Sequence, residues 1–584
     1  MSGAQNEAEE PVPEFPEANI VAVRSMVDAL RSTLGPLSND KLVVNALASR
    51  TPKQDFRENN PVDDYTVAND GATILQELPT EHPIAPVVLR LIGPERPGET
   101  DVVGQDIYDG VSTTVVLTGA LLDEAESLLE QGIHPYDVRR GYAAAAEAAR
   151  ERLAELSTPL SAFDDPDGAA VSVARTAMTG NDVGGVADRW SRLAADAVDV
   201  VGMPNETSFV VRQISTGRIE DSRLVHGAVL DMNHRMNERM PKRLEDATVL
   251  CLDGHETGGL MDRDLDIEGA RMDLSSLDDL DEVESMEAAR RRRIVDGYAD
   301  LGVDVVCTRL GINDAFEELL TERGMVGIRR VNRLDLKQLA YATGASLVKN
   351  PEDVTAADLG RAGVVEEVRR EPRRHRRKNR YMTVFDDCGG DRSVVMLLHG
   401  VTEQLADQAT TEVRKAAKAV ATVRGEAGAV PGVVAGAGAT EVELAAGARE
   451  RARGIDSRAQ LAADAFGDAL ESVVAALVRN AGGDPIDAVA DLRAAHADGD
   501  ERAGYLVFDD AYGDAVAAGV LDPAAYKRSA VTSATEVADT ILRVDDAVDA
   551  TFTEEPADEG DAIYDDRAEK HMDYLDENEG TRWD

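Results

Sequence analysis

The sequence predicts an α+β protein of several domains, with mainly helical regions at both chain ends and a βαβ-type region between them. Three observations carry this. At 584 residues the chain is too long for one core, and about two to four domains are expected. Apolar residues recur with helical period from Asn19 to about 160 and again after about 400. From about 245 the period changes to short apolar runs bounded by glycine. Hydrophobic residues make up 43% of the chain, enough to fill such cores.

In chain order, residues 1–17 are acidic and hold Pro11, Pro13 and Pro16, a composition that predicts a disordered lead-in. Lys41–Leu47 reads as strand, and the charged, proline-bearing stretch 48–64 as a surface loop. Val115–Gln131 reads as a helix with Leu117, Leu121, Ala125 and Leu128 on one face, stopped by Gly132 and Pro135. The runs ATVLCLDG (247–254), VDVVCTRLG (303–311) and GMVGIRRV (324–331) read as strands, with a helix over Asn313–Arg323. Between the first two lies an acidic segment, Leu260–Met286, with Leu274, Leu277, Leu280 and Val283 three residues apart. After about 400 alanine-rich helices follow, up to AYGDAVAAGVLDP (511–523) and a last helix ending near Ala550. The final 34 residues are acidic and poor in apolar side chains, and read as disordered.

The formal charge is −48, with 110 acidic against 62 basic residues. That balance argues against non-specific binding to nucleic acid or acidic membranes. Only ten of the basic residues are lysines. An acidic, lysine-poor surface suits a high-salt cytoplasm, where dense salt screens self-repulsion. Cys251, Cys307 and Cys388 lie far apart in or beside apolar runs, which implies buried thiols rather than a disulfide framework or zinc site. No run approaches the length of a membrane span and no leader pattern opens the chain, so a soluble cytoplasmic protein is expected.

Small-residue loops, each read as poised against a helix start, are the chemical signal: LGP (34–36), NDGAT (69–73), DGVST (109–113) and GAGAT (436–440). A triphosphate with its metal needs close backbone approach, oriented N–H groups and a carboxylate or two. Each loop alone is an ordinary turn; as a set they read as one nucleotide pocket, with Asp70 and Asp109 as its carboxylates.

The segments NIVAVRSMVDALRSTLGP (19–36), NDGATIL (69–75), VVLTGALLDEAESLLEQGIHP (115–135), MPKRLEDATVLCLDG (240–254), GVVAGAGATEVEL (432–444), NAGGDPIDAV (480–489) and ILRVDDAV (541–548) resemble, in order, the group II chaperonins, the archaeal thermosome and its eukaryotic cytosolic relatives. The resemblance implies a chaperonin fold with an equatorial domain from both chain ends (18–160 and 426–550) and an intermediate domain entered twice (161–222 and 382–425). It further implies an apical domain at 223–381 with a helical protrusion about 260–290, and an acidic tail at 551–584. It implies ATP, Mg2+ and K+ as cofactors, a double ring of identical or paralogous subunits, and unfolded polypeptides as clients. The segment Leu260–Met286 then reads as a built-in lid, against the equal alternative of a solvated amphipathic helix.

Site residues follow by position. Asp109 matches the magnesium carboxylate and Asp70 the one that helps place the attacking water. Leu34, Gly35 and Pro36, with Gly71, Gly110, Val111, Ser112 and Thr113, and Gly436, Ala437 and Gly438, match the loops around the nucleotide. Asp522 matches a ribose-reaching position, with a helix-capping turn before Pro523 as the alternative. His134 matches a structural helix-end position.

The departures bear on chemistry. Tyr108 replaces a glycine, Val111 a threonine, Ala437 the middle glycine of a triplet, and Leu37-Ser38-Asn39 the residues after LGP. Ala437 costs little unless its φ is positive. Lys415 stands where the family carries an aspartate that reaches the attacking water, and Asn181, after Thr179-Gly180, replaces a phosphate-sensing lysine. A lysine has donors and no acceptor, so it cannot orient water as a carboxylate does. Slow or absent hydrolysis with retained binding is expected, unless a different register gives the role to Asp407 or Glu412.

An ATP-binding chaperone assisting folding is therefore the first reading, and a non-hydrolysing structural or regulatory subunit that joins active paralogues the second. The basic run 368–380 lacks interleaved aromatics, which favours pairing with acidic neighbours over RNA binding.

Overall fold

Helices from the two ends of the chain share one core, and this joins the phosphate-loop candidates in space. The structure, a computed structural model, describes residues 17–39, 41–44, 65–68, 71–77, 84, 88–89, 110–178, 187–205, 207–214, 216–231, 235–254, 260, 277–369, 381–390, 392–401, 406–426 and 431–544. Helices Glu17–Arg31, Val111–Glu130 and Pro135–Leu156 pack on Ala439–Ala452, Ala459–Ala481 and Ala524–Ile541, burying Leu30, Leu117, Leu121, Phe466 and Val537 together. Small residues set how close these helices come. A Cβ on Gly119 would lie 2.5 Å from Val27 Cγ1, and one on Gly141 would lie 2.3 Å from the Ala459 carbonyl oxygen. Tyr142 meets Phe466 edge-on at 5.7 Å and donates to the Leu121 carbonyl at 2.6 Å, so this buried ring keeps its hydroxyl satisfied.

A second core joins helices Pro166–Met178, Ala187–Val201 and Ala406–Val423 to a three-stranded sheet. Its central strand Val394–His399 runs parallel to Phe209–Ile214 and antiparallel to Arg223–Val225. Two passes of the chain, nearly two hundred residues apart, thus close one unit.

The third core surrounds a seven-stranded sheet in the order Ala228–Leu230, Tyr381–Cys388, Gly360–Arg369, Arg243–Leu252, Val305–Thr308 and Val326–Ile328, with Leu347–Val348 beside Arg243–Leu252. The strands read from glycine-bounded runs form its parallel half, in the register Cys251↔Cys307 and Cys307↔Ile328. Helix Asp314–Glu322 lies between two of them, capped where the Asn313 side chain accepts the Phe316 N–H. Alternating α and β elements feed parallel pairing because each helix returns the chain to the same end of the sheet. The fold is α+β, with helical and sheet-based units in separate cores.

Several sequence expectations shift. The helix at 115–131 begins earlier, at Val111, with Gly110 as its left-handed N-cap. The last helix closes at Ile541 rather than near Ala550, and 545–550 lie outside the described residues. LGP does not precede a helix; it follows Glu17–Arg31 in a turn where Gly35 takes φ +92°, since the chain must reverse there. His134 caps the start of Pro135–Leu156, its Nδ1 accepting the Tyr136 N–H at 3.1 Å. Leu260 is fully buried, bridging to Ile312, so it offers no surface to a partner. Helix Leu277–Asp300 carries exposed Met286 and ends with Ile294, Val295 and Tyr298 in the sheet core, while 261–276 lie outside the described residues. Cys251 and Cys307 are buried, Cys388 half-buried. The lead-in, the stretch 48–64, the basic run at 370–380 and the acidic tail also lie outside the described residues. Among those residues no helix is long and apolar enough to cross a membrane.

Candidate nucleotide site

A cavity of about 1450 Å³ opens where the helical core meets the unit built on the three-stranded sheet. Leu34, Gly35 and Pro36 line it, as do Gly71, Gly110, Val111, Ser112, Thr113, Ala437, Asp522 and Lys415. Gly436 is not among the lining residues; it precedes Ala437 and donates its N–H to the Val520 carbonyl at 2.9 Å. The loops touch one another. A Cβ on Gly71 would fall 2.5 Å from Ser112 Oγ, so only glycine lets the NDGAT and DGVST turns come this close. Ser112 Oγ also lies 3.2 Å from Thr33 Oγ1, at the start of the LGP turn. Asn480 secures that turn by donating to the carbonyls of Arg31 at 2.9 Å and Leu34 at 2.8 Å.

Two long helices begin at the cavity. Val111–Glu130 starts from Gly110 at φ 90° and Ala439–Ala452 from Gly438 at φ 82°, and neither N-cap offers a side-chain acceptor. Left-handed glycine caps leave first-turn amides for a ligand, and the partial positive charge of both helix ends favours an anion. The hydroxyls of Ser112 and Thr113 stand at the first of these turns. This donor set fits a polyphosphate and, beside it, a hard cation held by oxygen atoms. Asp70 and Asp109, the two carboxylates expected at this pocket from the sequence, lie outside the described residues; their chain neighbours Gly71 and Gly110 face the shared cavity. Thr179, Gly180 and Asn181 also lie outside them.

The remaining wall is charged. Asp522 pairs with Lys527, Oδ2 to Nζ 2.9 Å, and Lys527 pairs in turn with Glu441 Oε1 at 2.6 Å. Burial alone would discharge this ammonium, but the Asp522 and Glu441 carboxylates outweigh it and raise its pKa. The capping alternative for Asp522 fails: the N-cap of Ala524–Ile541 is Pro523, whose side chain has no acceptor, and the Asp522 carboxylate pairs with Lys527 instead. Ala437 takes φ 55°, the positive value at which a methyl group is strained. Its carbonyl accepts the Tyr505 N–H at 2.8 Å, which helps hold the turn.

A family model described as the TCP-1/cpn60 chaperonin family matches residues 26–551. The chain belongs to that family. Relatives include a thermosome subunit of Methanopyrus kandleri, 35% identical over 91% of both chains. The thermosome subunit beta of Archaeoglobus fulgidus is 34% identical over 91% of both, and thermosome subunit 2 of Haloferax volcanii 35% identical over 91% of this chain and 89% of its own. The protein is a group II chaperonin subunit with the multidomain α+β chaperonin fold.

In this chaperonin Lys415 projects from helix Ala406–Val423 into the cavity wall, its Nζ 3.2 Å from Glu412 Oε1. Glu412 lines the wall too, one turn earlier and 3% exposed. Lys415 and Glu412, on adjacent turns of one helix, thus both face the cavity. Sequence reasoning passed over Glu441, Lys527 and Asn480. The one available signal was that Glu441 directly follows GAGAT and Lys527 closely follows Asp522; single charges on helices ordinarily face solvent and drew no attention.

Proposed function

We infer that, as a group II chaperonin subunit, the protein is a molecular chaperone that assists protein folding. We propose that it binds ATP with Mg2+ in the cavity described above, with K+ as a further cation, and works within a cytoplasmic double ring that encloses non-native polypeptide. The observation that carries the nucleotide assignment is the pair of helix N-termini, each with a left-handed glycine cap, opening on one cavity from opposite ends of the chain. Asp109 is assigned to the magnesium ion, Asp70 to the water, and the loops of Leu34–Pro36, Gly71, Gly110–Thr113 and Gly436–Gly438 to the phosphates and their surroundings. The described residues group into an equatorial core, an intermediate unit entered twice and an apical sheet unit, which supports the domain order given by the resemblance.

With Lys415 at the water-facing position and Asn181 at the phosphate-sensing one, this subunit holds ATP and turns it over slowly. Equilibrium binding of ATP to the full chain in concentrated potassium chloride, with and without magnesium, tests the reading. Magnesium-dependent binding lost on Asp109→Ala supports it, and no binding of either form overturns it.

A further inference from the structure

Charge is unevenly placed around the cavity. Among the described residues its wall carries five carboxylates against three cations, Arg175, Lys415 and Lys527. A polyanion entering such a wall needs a cation that can turn to it. Lys527 is held between Asp522 Oδ2 at 2.9 Å and Glu441 Oε1 at 2.6 Å. Arg175 Nη2 donates to the carbonyls of Ala518 at 3.3 Å and Gly519 at 3.4 Å. Lys415 differs in place and in grip. Gln408, Glu412 and Lys415 follow one another by four and three residues and all line the cavity, so one stripe of helix Ala406–Val423 faces it. The opposite face of that helix, through Val413, Ala417 and Val420, is packed in the core of the three-stranded sheet, which fixes the stripe in place. The Lys415 ammonium lies 3.2 Å from Glu412 Oε1, longer than the about 2.7–2.9 Å of a tight charge-assisted hydrogen bond.

We infer that Lys415 binds the terminal phosphate of a nucleoside triphosphate and makes the site prefer triphosphate to diphosphate, with Glu412 as the positioning residue that holds the ammonium at the wall. The inference rests on the nucleotide reading of this cavity. The glycine-capped amides belong to the helical core, whereas Lys415 stands on the unit built around the three-stranded sheet, and the cavity lies where the two meet. Phosphates seated on the amides lie against one wall, and the end of a longer phosphate chain extends toward the other. An ammonium has three donors, so Nζ can keep Glu412 as one acceptor and take a phosphate oxygen as another. A diphosphate seated on the same amides stops short of it, so the added contact counts for the triphosphate alone. A hydrogen bond between charged groups is worth about tenfold or more in affinity. Glu412 competes with the phosphate for the ammonium, and its charge sets how much of that preference is realised.

The test is equilibrium binding of ADP and of the β,γ-imido analogue of ATP to the full chain in concentrated potassium chloride with magnesium. The proteins compared are the wild type, Glu412→Gln, and a double variant carrying Lys415→Met with Glu412→Gln, since Lys415→Met alone would strand a buried carboxylate. The wild type is expected to prefer the triphosphate analogue by about tenfold or more. Glu412→Gln, nearly the same in shape, releases the ammonium to the phosphate and is expected to widen that ratio with ADP affinity unchanged. The double variant is expected to bind ADP as the wild type does and to lose most of the preference. Equal affinity of the wild type for both nucleotides, or a double variant that binds ADP normally and keeps the wild-type ratio, overturns the inference while the nucleotide reading stands. Should the double variant bind neither nucleotide, Glu412→Gln decides: a wider ratio supports the inference and an unchanged one overturns it. If the wild type binds no adenine nucleotide, the nucleotide reading falls and takes this inference with it.

Discussion

Restoring a carboxylate at position 415 is the most direct probe of the chemistry. The geometry shows how to make the change. Lys415 and Glu412 have side chains 13% and 4% exposed, with Nζ 3.2 Å from Oε1. Lys415→Asp alone would put two carboxylates one helical turn apart in this wall and take the ammonium away from Glu412. Removing one partner of a buried ion pair costs about 3–5 kcal/mol when nothing compensates, so the single variant is expected to lose stability. Glu412→Gln in the same chain removes the second charge while keeping the shape, and the double variant is the one to assay. A positioned base contributes about 10²–10⁴ in rate. Because Asn181 remains where a phosphate-sensing lysine is expected, a gain near the lower end, about 10²-fold, is anticipated. Steady-state phosphate release by the full chain in concentrated potassium chloride with magnesium reads it directly. A double variant that is folded, binds ATP and stays at the wild-type rate refutes the reasoning. So does a wild type that already hydrolyses at the rate of a thermosome subunit with the usual aspartate and loses that rate on Asp70→Ala.

Ala437→Gly should raise stability by about 1 kcal/mol, because alanine at φ 55° carries strain that glycine lacks; a denaturant midpoint moving downward would contradict this. His496, 4% exposed, has Nδ1 2.6 Å from Glu443 Oε1 and Nε2 2.8 Å from the Ala503 carbonyl oxygen, so the imidazolium satisfies both. Burial pulls its pKa down, but the Glu443 and Ala503 hydrogen bonds and the charges of Glu443 and Asp500 leave it raised. A raised folded value means the stabilisation is complete below the unfolded pKa of about 6.5 and fades as pH rises through the folded value. Denaturant midpoints should therefore fall from about pH 6.5 upward, and His496→Gln should flatten that slope. Burial pushes the Cys251 and Cys388 thiols up to about 12 and holds the Cys307 thiol well above its usual value. Native protein at pH 8 should resist iodoacetamide at all three sites and react at all three once unfolded, as counted by mass spectrometry.

The helical ends, the parallel strands and the glycine loops were readable because each is written in local spacing. Leu117, Leu121, Ala125 and Leu128 repeat on one helix face, and all are buried where that face predicts. The glycines of NDGAT and DGVST marked places where backbones approach, and Gly71 does meet Ser112. Helix limits were less legible, since Val111 opens the helix directly behind Gly110, whose left-handed conformation no residue spacing announces.

The sequence by itself determined the family, the order of elements and the chemical kind of each loop, because periodicity, glycine placement and residue type act over a few neighbours. Only the tertiary structure decided which charges share the cavity wall. Lys527 and Glu441 are 86 positions apart, and Asn480 lies 446 from the Leu34 carbonyl it holds. A carboxylate's role depends on the dielectric and the partners that packing brings to it, and no spacing along the chain encodes those.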